Sequence, residues 1–240
     1  MANWSEEEVA LLSVYERTNK SAYTLFTEMR RAGYNRTYKA VSRKIESLGF
    51  RKPSRYVTGQ EKRLGYLDIE TTSLKANIGI MLSWAIKTRD TSETTSALIT
   101  KEEIFSGDYD KRIVEMLCEE LNNYDTLLTY YGTRFDIPFI RTRAIDNNIR
   151  FPFYREVSHK DLYYQVRSKL RLNSNSLKTA TEFLGIRGKT KLDPRVWRDA
   201  TYGDSDALQT VLAHNIADVV ILERLHKKIE DYCPPSVVPA

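Results

Sequence analysis

Two carboxylates follow a short apolar run near residue 68. The run reads Arg63-Leu64-Gly65-Tyr66-Leu67-Asp68-Ile69-Glu70-Thr71-Thr72-Ser73-Leu74, which is typical of a buried strand that ends in a hydroxyl-rich turn. Because side chains alternate along a strand, Asp68 and Glu70 should project from one face and Leu67 and Ile69 from the other. Close carboxylates repel each other unless a cation lies between them, and Mg²⁺ and Mn²⁺ prefer oxygen ligands. The run therefore indicates a divalent metal site, with a solvated strand end as the alternative.

A third acid lies in Tyr130-Tyr131-Gly132-Thr133-Arg134-Phe135-Asp136-Ile137-Pro138-Phe139-Ile140. Asp136 follows a predicted strand and a glycine turn, and it precedes a helical pattern in which Pro138 fits the first turn. Helix N-termini favour carboxylates whatever the function, so a simple helix cap is the alternative to a catalytic acid.

The last candidate group lies in Ala213-His214-Asn215-Ile216-Ala217-Asp218-Val219-Val220-Ile221-Leu222, which we expect to open a helix continuing to about Tyr232. His214 and Asp218 are one helical turn apart and therefore share a face. The pattern places a carboxylate and a proton-accepting ring side by side, and a surface His–Asp pair is the alternative.

The elements around these residues predict an α/β layer fold. Strand patterns cover about 63–71, 80–88, 97–100 and 126–131, and a helical pattern covers 110–124. Three early strands in succession favour an antiparallel meander, and strands then alternate with helices.

Composition indicates a soluble protein with one large domain or a large and a small one. The chain has 240 residues, of which 41% are hydrophobic. The start lacks a secretory pattern and no apolar run approaches bilayer-spanning length, so we expect a cytoplasmic protein with no membrane partner. Cys118 and Cys233 lie far apart without metal-type spacing, which favours buried free thiols.

Charge is distributed unevenly. Residues 1–62 carry 12 Lys and Arg against 7 Asp and Glu, so the totals of 37 and 32 leave 25 of each for the rest, and the first quarter holds the whole net charge of +5. Residues 151–200 hold 11 basic and 5 acidic residues. Two basic regions fit a polyanionic partner.

The N-terminal segment predicts three helices. Ser5 and Glu8 form a capping-box pattern at the first helix, the second covers about 21–31, and the third covers about 37–48. The apolar side chains of the third helix should face inward, namely those of Ala40, Val41, Ile45 and Leu48. Its basic side chains should be available to solvent, namely those of Arg36, Lys39, Arg43 and Lys44. A small helical bundle used for protein contacts is the alternative to a nucleic-acid-binding unit.

The segment resembles the Myb/SANT-like helix-turn-helix group through Trp4-Ser5-Glu6-Glu7-Glu8 and Arg36-Thr37-Tyr38-Lys39-Ala40-Val41-Ser42-Arg43-Lys44-Ile45. The resemblance covers about the first 50 residues and implies DNA binding with the third helix in the major groove. We expect a DNA-binding domain over 1–50, a polar linker over 51–62, a catalytic domain over 63–232 and a tail over 233–240.

The three acid motifs together resemble the DEDD superfamily of 3′-to-5′ exonucleases, which have a ribonuclease H-like fold. The resemblance runs over roughly 63–231 and is similar to the branch of B-family polymerase proofreading domains and bacterial and phage nucleases. It rests on 67–72, 132–138 and 215–218, with support from His159-Lys160-Asp161-Leu162 and from 176–186. It implies a mixed sheet with flanking helices beside the small all-α domain, and a bacterial or phage-infected host cell.

The resemblance also implies the site. Two divalent ions, Mg²⁺ or Mn²⁺, would be held by Asp68, Glu70, Asp136 and Asp218. His214 stands where the family has a Tyr or His that orients or deprotonates the attacking water, although its spacing to Asp218 is that of the tyrosine subgroup. The loop against the terminal nucleotide would use Thr71, Thr72 and Leu74. His159 and Asp161 are interpreted as strand-end structure.

The hypothesis is a metal-dependent 3′-to-5′ exonuclease on nucleic acid, with DNA favoured over RNA. One alternative is a ribonuclease H-like endonuclease or junction-cutting enzyme, and another is a non-catalytic DNA-binding regulator with a nuclease-like scaffold. Strandedness, recognised sequence, protein partners and oligomeric state do not follow from the sequence.

Overall fold

The structure is a computed structural model that describes residues 4–17, 22–50, 63–152, 157–188 and 191–232. The described residues form two compact units. One comprises those within 1–62 together with 119–124, and the other comprises 63–118 and those from 125 onward. The predicted linker over 51–62 and the tail over 233–240, including Cys233, lie outside the described residues. Cys118 is a buried free thiol, as predicted.

The first unit contains the three expected helices, α1 (Glu6–Arg17), α2 (Ala22–Arg31) and α3 (Tyr38–Ser47). The capping box is confirmed, since the Ser5 amide donates to Glu8 Oε2 at 2.8 Å and the Glu8 amide donates to Ser5 Oγ at 3.2 Å. Fully buried apolar side chains from all three helices form the core, among them Leu12, Leu25, Met29 and Val41.

Arg36 takes part in the packing of this unit. Its Nε lies 2.6 Å from Glu8 Oε1, and its guanidinium lies 4.6 Å from the ring centroid of Trp4. The expectation that Arg36 is available to solvent was therefore wrong, because its side chain is only 20% exposed. Lys39 and Arg43 are exposed as expected, and Lys44 is half-buried.

The second unit is built on a five-stranded mixed sheet. Its strands are β1 (Leu64–Thr71), β2 (Met81–Thr88), β3 (Thr94–Leu98), β4 (Thr126–Thr129) and β5 (Ser158–Asp161), in the order β3-β2-β1-β4-β5. β1, β2 and β3 pair antiparallel, which confirms the meander, whereas β4 and β5 join parallel to β1. The prediction for the third strand was three residues too late at its start.

Seven helices of the described chain flank this sheet: α4 (Lys101–Ser106), α5 (Lys111–Leu121), α6 (Asp136–Asp146), α7 (Leu162–Lys169), α8 (Leu177–Phe183), α9 (Pro194–Thr201) and α10 (Ser205–Ile229), the last followed by a 3₁₀ turn over Glu230–Tyr232. α10 packs on β1 and β2. The core between them includes Tyr66, Ala85, Val219 and Leu222. The predicted α/β architecture is confirmed.

Within the described chain, no helix is both long and apolar enough to cross a membrane.

α10 begins at Ser205, two turns earlier than the sequence pattern predicted, because Asp204 accepts a hydrogen bond from the Ala207 amide as N-cap. Its other end is tied to the sheet by polar contacts. Tyr66 Oη lies 2.9 Å from His226 Nδ1, and Lys87 Nζ lies 3.1 Å from Glu223 Oε2. These contacts fix the register of α10 against β1 and β2, and with it the positions of the candidate residues halfway along the helix.

Candidate active site

β1 presents Asp68 and Glu70 on the face that α10 covers. Tyr66 on the same face is fully buried against Val219 and Leu222, whereas Asp68 and Glu70 are only partly buried. The pairing of β1 with β2 shifts register between Glu70 and Thr71. Such bulges re-aim side chains and occur often next to active sites. The alternation predicted from the sequence is confirmed.

Asn215 and His214 on α10 reach these two acids. Asn215 is fully buried, and its Nδ2 donates to Asp68 Oδ2 at 2.6 Å. The Nε2 atom of His214 lies 3.8 Å from Glu70 Oε1 and 3.8 Å from Asp218 Oδ2. His214 therefore lies between a carboxylate of the sheet and a carboxylate of the helix.

Asp136 reaches the same place from the start of α6. Its Oδ1 accepts a hydrogen bond from the Ile69 amide at 3.2 Å, and the residue is only 3% exposed. The carboxylate thus contacts β1, between the two acids of that strand, which argues against a role only as a helix cap. The turn before it is tightly packed, since a Cβ at Gly132 would lie 2.2 Å from Thr129 Oγ1.

The electrostatics of Asp136 indicate a site with excess negative charge. Burial, and then the nearby Asp68 carboxylate, raise the pKa of Asp136 well above its ordinary value, against the opposing effect of the hydrogen bond from the Ile69 amide. A buried carboxylate beside another is stabilised either by a proton or by a cation.

The oxygen donors have the chemistry that a hard divalent cation requires. Besides the carboxylates, the Oδ1 atom of Asn215 is buried and accepts no hydrogen bond within the described residues. However, in the part of the chain that the structure describes, no three Asp, Glu, His or Cys side chains are already grouped closely enough to hold a metal ion. The residues thus fit a cation by donor type and by charge, but not yet by their spacing.

The family follows from a comparison with known protein families. The family described as the RNase_H superfamily (RNase_H_2) matches residues 65–230. The chain belongs to the ribonuclease H superfamily. The match begins within β1 and ends one residue after α10, so it includes every element of the ribonuclease H-like domain that carries a candidate acid.

Solved structures share this fold at low sequence identity. The family B DNA polymerase of Pyrobaculum calidifontis superposes with a TM-score of 0.56 and 18% identity, covering 71% of this chain and 25% of the polymerase. E. coli exonuclease I in complex with a dA16 oligonucleotide gives 0.51 and 15%, covering 71% and 41%. The zinc-bound E. coli exonuclease I complex with single-stranded DNA gives 0.51 and 14%, covering 72% and 42%. This chain thus spans less than half the length of these proteins. A search of curated protein sequences found no match.

The loop after β1 of the ribonuclease H-like domain carries the residues expected to touch the terminal nucleotide. Thr71 Oγ1 donates to the Ser73 carbonyl at 2.8 Å, and Thr72 Oγ1 accepts from the Ile80 amide at 3.0 Å. Both hydroxyls therefore shape the loop, and Leu74, which is 79% exposed, extends from it.

Sequence reasoning missed two positioning residues of this domain. Arg143 Nη2 pairs with the fully buried Asp110 at 2.7 Å, and Asp110 Oδ2 also accepts the Met81 amide at 2.8 Å. The pair joins α6 to β2, and no local pattern relates two residues so far apart in sequence.

Asn215 was also given no role from the sequence. The sequence pattern that could have indicated a role is its position on the buried face of α10, one turn after Val211 and one turn before Val219. A polar side chain in an apolar stripe requires a buried partner, and here the partner is Asp68.

His159 and Asp161 are structural, as interpreted. Asp161 Oδ1 accepts the Tyr131 amide at 2.8 Å and Oδ2 accepts the Thr133 amide at 2.9 Å, so this side chain holds the turn before Asp136. His159 Nε2 lies 2.8 Å from Thr129 Oγ1.

Proposed function

We propose that this protein is a metal-dependent 3′-to-5′ exonuclease that hydrolyses phosphodiester bonds of nucleic acid, with DNA favoured. One observation carries the proposal: the elements that carry the candidate acids, β1, α6 and α10, are far apart in sequence and are joined by buried polar contacts of those acids. The 2.6 Å contact between Asn215 and Asp68 joins α10 to β1, and the 3.2 Å contact between Ile69 and Asp136 joins β1 to α6. A solvated strand end would not recruit buried polar partners from two other elements.

Asp68, Glu70, Asp136 and Asp218 would hold two divalent ions, Mg²⁺ or Mn²⁺. When bound, these ions supply Lewis-acid activation of water and stabilise charge on the leaving oxygen. The raised pKa of Asp136 supports a cation here, because burial and the Asp68 carboxylate both disfavour an uncompensated charge.

His214 would accept the proton of the attacking water. Its Nε2 lies 3.8 Å from Glu70 Oε1 and 3.8 Å from Asp218 Oδ2, so a proton taken up by the ring would be stabilised by two carboxylates. Asn215 orients Asp68 by donating to Oδ2, and Asp161 holds the turn that delivers Asp136.

The direction of cleavage rests on the motif resemblance alone. The similar structures, among them an exonuclease in complex with an oligonucleotide, support a nuclease that acts on nucleic acid. Exposed Lys39 and Arg43 on α3 support a DNA-binding role for the N-terminal unit. We assign that unit to recruitment of the substrate.

The test is a polarity assay on purified protein in magnesium or manganese. Single- and double-stranded DNA and RNA carry a 5′ label, and each is supplied with a free or a blocked 3′ end. The proposal predicts a ladder of progressively shorter products from free ends and none from blocked ends. Internal fragments from blocked substrates would show an endonuclease, and binding without cleavage at any end would show a regulator.

A further inference from the structure

A group of exposed aromatic rings lies beside the turn that delivers Asp136. Tyr131 is 45% exposed and Tyr164 is 37% exposed. The ring of Tyr163 lies between them, with its centroid 4.8 Å from that of Tyr131 and 5.2 Å from that of Tyr164, both edge-on. The Nε of Arg134 donates to Tyr164 Oη at 3.4 Å. We call Tyr131, Arg134, Tyr163 and Tyr164 the tyrosine surface.

The backbone holds Tyr131 in an unfavourable conformation. Its φ is +69°, a region that bulky residues avoid and that asparagine or glycine adopts more easily. The Asp161 carboxylate fixes this conformation by accepting the Tyr131 amide at 2.8 Å. A large aromatic ring is thus exposed to solvent at a conformational cost. Tyr109 shares both features, and Tyr131 differs from it by its contact with the ring of Tyr163.

Positive charge continues from this surface. Arg167 and Lys169 on α7 and Arg171 beyond it are exposed, and none of them forms an ion pair within the described ranges. The chain carries no acid between Asp161 and Glu182. An aromatic platform followed by unpaired cations is complementary to a strand with a charged backbone and planar bases.

We propose that the tyrosine surface binds the unpaired bases of single-stranded nucleic acid on the way to Asp136, while Arg134 and Arg167 contact its phosphates. Every base has a face that can stack on tyrosine, whereas bases inside a duplex are covered by their neighbours. The proposal rests on the proposed function, since it names single strands as the substrate class of the same site. The Tyr131 carbonyl accepts the Phe135 amide at 3.2 Å and the Gly132 carbonyl accepts the Ile137 amide at 2.9 Å, so a strand bound at Tyr131 would lie close to the start of α6, where Asp136 is.

Binding of the 240-residue chain is measured in chelator, so that the result does not depend on cleavage. The probes are a fluorescent oligothymidylate of about 12 nucleotides, an oligouridylate of the same length and a blunt DNA duplex. The test variant combines Tyr131→Asn, which tolerates positive φ, with Tyr164→Ala. The matched control combines Tyr109→Asn with Tyr202→Ala, because Tyr109 is also exposed, at 46%, with a φ of +47°, and Tyr202 is 72% exposed.

The Kd of the test variant for single strands should rise about tenfold or more, because each lost stacking contact removes about 1–3 kcal/mol of binding free energy. The control should bind as wild type does, and duplex affinity should not change in either variant. A loss with both single-stranded probes indicates a general platform, and a loss with one of them shows that the surface distinguishes the two strands by the 2′-hydroxyl or by the thymine methyl group. Arg167→Gln, compared with Lys228→Gln on α10, should weaken binding and lower its salt dependence. This pair tests the surface even if Tyr131→Asn fails to fold.

Wild-type affinity in the test variant would overturn the inference, and so would an equal loss in the control. The two proposals fail separately. If the wild type cleaves nucleic acid and the tyrosine variant binds single strands as the wild type does, the proposed nuclease function is supported and the binding role of the tyrosine surface is contradicted. If the wild type does not cleave nucleic acid but the tyrosine variant loses affinity for single strands, the binding role of the tyrosine surface is supported and the proposed nuclease function is contradicted.

Discussion

His214 lies between Glu70 and Asp218, with Nε2 at 3.8 Å from an oxygen of each. If the ring accepts the proton of the attacking water, His214→Ala should lower kcat by about a hundredfold to ten-thousandfold. His214→Tyr should restore much of the rate if the position chiefly orients water. Single-turnover cleavage of a labelled oligonucleotide measures both, and wild-type rates in the two variants would remove His214 from the mechanism.

Asn215 is a positioning residue for Asp68. Removing its amide leaves the Asp68 carboxylate without its 2.6 Å donor, and partners behind metal ligands contribute about 10- to 100-fold in metal affinity or activity. Asn215→Ala should therefore require more magnesium or manganese for half-maximal cleavage, with kcat at saturating metal reduced less. An unchanged metal requirement would show that the amide only fills space in the core.

The residues of the site were predictable from sequence to different degrees. Strand alternation alone placed Asp68 and Glu70 on one face, and helical spacing placed His214 beside Asp218. The contact of Asp136 with Ile69 depends on tertiary packing between α6 and β1, which no local pattern encodes. The ion pair of Asp110 with Arg143 was unpredictable for the same reason.

The elements show the same limits. The start of β3 was predicted three residues too late, because Thr94, Thr95 and Ser96 are not apolar. These residues form a strand because they pair with β2. α4 was missed although Thr100 and Glu103 form a complete capping box, because the helix is short and has no buried residue. The start of α10 depended on the Asp204 cap, which precedes the apolar stripe by two turns.

The Glu8–Arg36 contact makes the first helical unit sensitive to acid. The hydrogen bonds from Arg36 lower the pKa of Glu8 to about 2 from an ordinary value of 4.5. A depressed folded-state pKa contributes stability that is complete above about pH 4.5 and is lost as the pH falls towards 2. Thermal unfolding followed through Trp4, which contacts Arg36, should show this loss in the wild type. Glu8→Gln should be less stable near pH 6 and should show a flatter dependence below pH 4.5. Parallel pH profiles for the two proteins would contradict the assignment.

The whole molecule combines two basic regions with one acidic site. If α3 contacts phosphates, Lys39→Gln with Arg43→Gln should reduce the slope of log Kd against log salt by about 1 for each lost contact, without changing cleavage of short oligonucleotides. Lys111→Gln with Lys228→Gln is the matched control, since both lysines are exposed on helices of the other unit. Equal slopes in all proteins would favour a protein-contact role for the first unit.

The most direct test of the central claim compares two aspartates of α10. Asp218 faces His214 at the candidate site, whereas Asp206 is exposed in the first turn of the same helix. The measurement is kcat/KM for nucleotide release from the 3′ end of single-stranded DNA in magnesium or manganese, with folding checked by thermal unfolding. The account predicts that Asp218→Asn loses about a thousandfold or more, which is about 4 kcal/mol of transition-state stabilisation, while Asp206→Asn remains near wild type. Wild-type cleavage by a folded Asp218→Asn variant would contradict it.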